Sequence, residues 1–155
     1  MALGGGESLV PVLDVTSPRR GEAGVKDVVL GMAQRGRLNV LIKTLGKSPR
    51  KLFDEFEGKF EHAADDGRAH TGDVKYHVGA TGTYHTESGK VILVRLLPNP
   101  SHLEAIDPVV EGWSRAVQTQ RRATSLHLDP LRAPPFLVPG AAAFAGQGAV
   151  RGGMG

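Results

Sequence analysis

The sequence contains no cysteine. That excludes a disulfide framework and any thiolate metal site, and it fits a reducing cytoplasm. Aromatic residues make up only 5% of the chain, leaving few platforms for stacked bases. Neither sign of charge dominates: 19 basic and 16 acidic residues are interspersed and leave a net charge of +3. No basic footprint for nucleic acid results, and no nucleic-acid partner is expected. The apolar runs fall far short of the about 20 residues needed to cross a bilayer, so no membrane partner is expected either. The opening MALGGGESLV has neither the basic start nor the apolar core of a signal peptide. Zincin spacing, a calcium loop, a P-loop and GxGxxG are all missing.

What is present is one domain or part of one: 155 residues, 40% of them hydrophobic, suffice for a core. The organising stretch runs from Thr71 to Arg121. At its centre Lys90–Leu97, KVILVRLL, is apolar but for Arg95 and ends at Pro98. It reads as a strand buried on both faces, as in a parallel sheet. Asn99-Pro100-Ser101-His102-Leu103-Glu104 follows, and then a helix over 102–121. Leu103, Ile106, Val110, Trp113 and Val117 recur at helical spacing and predict its inner face. A strand, a polar loop and an amphipathic helix form the usual ligand site of an open α/β sheet, where N–H groups at the helix start favour an anion. The fold class is therefore α/β, a partial, open, mainly parallel sheet flanked by helices.

Val25–Met32 predicts a first strand, Ala33–Arg37 a polar loop, and Leu38, Leu41, Ile42 and Leu45 a helix stopped by Gly46. Pro49 opens another helix, with Leu52, Phe53 and Phe56 on one face. Residues 58–73 are charged and aperiodic and read as a surface loop. Val74–Tyr84 is short extended structure, and Glu87-Ser88-Gly89 a turn. Residues 122–135 read as a proline-containing linker, followed by a short strand, Phe136–Val138, with no helix left to complete a third strand–helix junction.

Six histidines are the natural acid–base candidates. His62 and His70 lie in the charged loop. His77 sits in Lys75-Tyr76-His77-Val78-Gly79, where glycine permits close approach of a ligand. From pattern alone, a hydrogen-bonded structural role for His77 or His102 is as good a reading as catalysis. Arg35-Gly36-Arg37 at a strand end suits carboxylate or phosphate recognition through guanidinium forks, or is surface charge.

Motifs extend the reading. Gly31-Met32-Ala33-Gln34-Arg35-Gly36-Arg37-Leu38-Asn39-Val40, Leu52-Phe53-Asp54-Glu55-Phe56, Gly72-Asp73-Val74-Lys75-Tyr76-His77, Asn99-Pro100-Ser101-His102-Leu103-Glu104 and Ala142-Ala143-Phe144-Ala145-Gly146-Gln147-Gly148 occur in this order. Together they resemble the thiamine-diphosphate-dependent decarboxylating component of the 2-oxoglutarate dehydrogenase complex. The resemblance covers residues 3–150 and implies that 1–155 form part of that family's first thiamine-diphosphate-binding domain.

The resemblance implies a function: oxidative decarboxylation of 2-oxoglutarate in the citric acid cycle, with succinyl transfer to a lipoyl-bearing succinyltransferase partner. It also implies a cytoplasmic homodimer. Arg35 matches an arginine near cofactor and substrate carboxylate. His77 matches an active-site histidine that contacts the 2-oxo acid, and so is the catalytic candidate. Ser101, Leu103, Ala142 and Ala143 match positions at the cofactor. Thiamine diphosphate would supply the carbanion chemistry, with magnesium on its phosphates. Two departures stand out. Gln34 replaces a histidine and cannot shuttle a proton, and Ala141 replaces the magnesium-binding aspartate, so no metal ligand is assigned. These departures, with the early end of the chain, set a second expectation: a truncated, non-catalytic fragment, inert or an interaction module for a full-length paralogue.

Overall fold

Val28, Leu30 and Met32 project to one side of strand β1 (Asp27–Met32), and Val29 and Gly31 to the other. All five are buried. The computed structural model describes residues 7–13, 24–57, 77–86, 88–99, 104–122, 125–146 and 148. Around β1 stand β2 (Ala80–His85), β3 (Val91–Leu96) and β6 (Pro135–Val138), in the order β2-β3-β1-β6. β1 runs parallel to β3 and to β6, whereas β2 is antiparallel to β3. The register sets Leu30 opposite both Leu96 and Phe136. The architecture is the expected α/β one: an open sheet, parallel at its centre, flanked by helices.

One face of the sheet is covered by α1 and α2. Arg37–Asn39 begins α1, which continues as a π-helical turn, Val40–Thr44. Leu45 N–H closes that wide turn on the Val40 carbonyl at 3.0 Å, and Gly46, at φ +68°, ends it. Leu38, Val40 and Leu41 pack with Leu52 of α2 (Pro49–Phe56) onto Leu30, Met32 and Leu96. Leu13, from a helical turn at 9–13, joins the same cluster. Phe53, expected beside Leu52, points out and is 41% exposed.

The opposite face carries α3 (Asp107–Gln118), whose Ile106 and Val110 side press on Val29. The expected inner face holds at Ile106 and Val110, but Ser114 takes the buried place expected of Trp113. Ile106, Asp107, Val110 and Ser114 are buried, while Trp113 is 45% exposed. Among the described residues α3 lies over β1 and β6, so the same face of β3 is only partly covered. That overturns the expectation of a strand buried on both sides: Ile92, Val94 and Leu96 are buried, Val91 is exposed, and Leu93 and Arg95 are half-buried. Trp113 flanks a hollow of about 330 Å³ there, with Gly79, Arg95 and Leu97.

The helix expected over 102–121 ends at Gln118. Thr119 is extended and starts an antiparallel ribbon, β4 (Thr119–Arg122) and β5 (Ser125–Leu128), which takes the end of the expected helix and the first part of the stretch read as linker. A short helix, α4 (Ala141–Gly146), does follow β6, contrary to expectation. The loop predicted at 58–73 and the extended residues 74–76 lie outside the described residues. Among those described, no helix is long and apolar enough to cross a membrane.

Candidate functional site at the carboxyl edge of the sheet

β1 leads into helices on one face and β3 into the helix on the other. Their carboxyl ends therefore diverge and leave the crevice in which open α/β sheets bind ligands. Gln34 and Arg35 follow β1 at this edge, and Leu97–Asn99 follow β3. His77–Gly79 arrives there too, because antiparallel β2 starts where β3 finishes, with Ala80 opposite Leu96.

Arg37 ties these segments together. Its guanidinium donates through Nε to the Val78 carbonyl (3.0 Å), through Nη1 to that of Met32 (2.9 Å) and through Nη2 to that of Leu97. Asn99 adds a side-chain N–H to the Met32 carbonyl at 3.0 Å and a backbone N–H to the His77 carbonyl at 3.0 Å. Arg37 is fully buried, and burial lowers its pKa to about 10, so it stays cationic at neutral pH. The two arginines therefore do not act as one fork. Gly36, at φ +78°, turns the chain between an exposed Arg35 and an inward Arg37. Gly79 is likewise a backbone crossing: a Cβ there would stand 2.8 Å from the Leu96 carbonyl oxygen.

The structure brings Gln34 and His77 into contact, Nε2 to Nε2 at 2.5 Å. His77 is 5% exposed and Gln34 half-buried. Arg35 stands exposed one residue on. Ala142 and Ala143 lie in α4, beyond the carboxyl end of β6, and Ala143 is buried. Ser101 and Leu103 fall outside the described residues.

Pattern reading missed an acidic pair at the start of α3. Glu104 and Asp107 are each 2% exposed. Burial first, then the charges of Glu104 and Glu111, raises the Asp107 pKa to about 6. Among the described residues, Glu104 Oε2, Asp107 Oδ1 and Asn99 Oδ1 have no hydrogen-bond partner. The only sequence signal was an acidic residue at each end of the Glu104–Asp107 turn.

The described residues gather no ligand set for a magnesium-held diphosphate. α4 opens on Ala141, which has no side-chain oxygen, and among the described residues no three metal-ligating side chains come together.

No protein-family model matches the chain. Curated relatives do. It is 51% identical over 148 residues to the "2-oxoglutarate dehydrogenase E1 component" of Azotobacter vinelandii, covering 96% of this chain. A protein of the same name from Cupriavidus necator is 51% identical over 149 residues, and one from Brucella suis 47% over 154. Over that stretch the chain is similar to the 2-oxoglutarate dehydrogenase E1 component. It spans about 15% of the length of the relatives it matches. Within this E1-like stretch, Gln34, Arg35 and His77 stand at the carboxyl edge with the buried Arg37 and Asn99.

Proposed function

We propose that this E1-like segment recognises a 2-oxo acid, 2-oxoglutarate by its similarity to E1, at the carboxyl edge of β1 and β3. The observation that carries the reading is the part-buried Gln34–His77 contact at the switch crevice, followed by the exposed Arg35. Arg35 offers a guanidinium to a carboxylate, and its planar donor fork suits that group. His77 contacts the 2-oxo group. In the whole E1 protein this recognition serves oxidative decarboxylation and succinyl transfer to a lipoyl-bearing partner, within a homodimer. Thiamine diphosphate would supply the carbanion chemistry there, and no step through it is derived for this chain.

A second reading is favoured by Gln34 and Ala141: a non-catalytic segment that binds a full-length paralogue. Chemical-shift mapping with 2-oxoglutarate separates the two. Recognition predicts saturable shifts centred on Arg35 and His77. The second reading predicts none there, and co-purification with an E1 protein instead.

A further inference from the structure

Gln34 and His77 meet nitrogen to nitrogen. An amide nitrogen carries hydrogens and has no lone pair to share, so it donates. The ring nitrogen facing it must accept. That requires a bare Nε2 and puts the proton of the neutral imidazole on Nδ1. The backbone holds both partners in place: Arg37 N–H donates to the Gln34 carbonyl at 3.1 Å, and Asn99 N–H to that of His77 at 3.0 Å. His77 is almost wholly out of water, so solvent does not compete freely for its ring.

We propose that Gln34 is a positioning residue that holds His77 in its Nδ1–H tautomer, leaving the pair no Nε2 proton to transfer. Its meaning for ligand recognition rests on the 2-oxo-acid reading above, whereas the tautomer itself does not. A histidine at position 34 could exchange protons with His77, and glutamine cannot. The edge becomes a fixed hydrogen-bonding unit.

The test is a long-range ¹⁵N–¹H correlation spectrum of the full chain with ¹⁵N-labelled histidine, at pH 8, with His77 assigned through His77→Asn. The expected pattern has an unprotonated Nε2 and a protonated Nδ1. Gln34→Glu, close in size, puts only acceptors before the ring, so the two nitrogens should exchange signatures. Gln34→Ala should lose the preference. If that variant does not fold, the wild type and Gln34→Glu still decide. A protonated Nε2 in the wild type overturns the proposal, because the amide then presents its oxygen. An unchanged pattern in Gln34→Glu overturns it as well. Adding 2-oxoglutarate keeps the two readings apart: the Nδ1–H pattern with no ligand-induced shift retains the role of Gln34 and removes only the 2-oxo-acid site.

Discussion

Gly31 lies directly beneath Val110: a Cβ built on Gly31 would stand 2.6 Å from Val110 Cγ2. Ile106 closes the same spot at 3.2 Å. The β-branched Val110 has little rotamer freedom in a helix, so it cannot swing aside. Gly31→Ala must therefore lift α3 off the sheet. The expected loss is about 1–3 kcal/mol, the usual range for overpacking. Chemical denaturation checks it, and pairing the change with Val110→Ala should recover part of the loss.

Arg37 predicts a larger effect. Removing it strands the carbonyls of Val78 and Leu97 and weakens the hold on Met32. Each orphaned buried acceptor costs about 1–3 kcal/mol. Arg37→Met should thus remove more than about 3 kcal/mol, enough to unfold many domains. Arg37→Lys should recover only part, because a single ammonium does not span three carbonyls as a guanidinium does. Thermal melts of the pair decide the matter; equal stability of wild type and Arg37→Met contradicts the assignment.

Asp107 sets a pH dependence. Its folded pKa, about 6, lies above the ordinary 3.8. The folded chain thus binds this proton more tightly than the unfolded chain, and stability from this group falls as pH rises from about 4 to 6. Above that window the buried carboxylate, charged and close to Glu104 and Glu111, destabilises the fold. Asp107→Asn should raise Tm at pH 8 and change it little at pH 4. A Tm gain at pH 4 as large as at pH 8 would count against burial as the cause.

Much of the framework was legible in the sequence because its signals are local. The run ending in Met32, the helix stop at Gly46 and the start at Pro49 each depend on neighbours within one turn or strand. The position of Trp113 was not legible. Periodicity finds an apolar stripe, but which residues of it touch the sheet depends on where α3 crosses β1 and β6. The β4–β5 ribbon was missed because β5 exposes all its residues, Leu126 and Leu128 included, and shows no buried alternation. At the site, Gln34 and His77 were each visible, but a contact across 43 positions was not. Arg37 carried no mark to distinguish a buried lashing from surface charge.

Thiamine diphosphate should bind weakly and without help from magnesium, given Ala141 at the head of α4. Losing even an outer-shell partner costs metal sites about 10–100-fold. Titration with magnesium and then with a chelator should give the same weak isotherm. A micromolar affinity abolished by the chelator would reverse this expectation.

The most direct test of the 2-oxo-acid site is calorimetric titration of 2-oxoglutarate into the wild type, Arg35→Met and His77→Asn. A hydrogen bond to a charged group is worth about 1.5–3 kcal/mol, or about 10–100-fold in affinity. The site predicts saturable binding that Arg35→Met weakens by that factor, with His77→Asn also weaker and the fold intact by melting. No binding at millimolar ligand, or wild-type affinity in Arg35→Met, would contradict it.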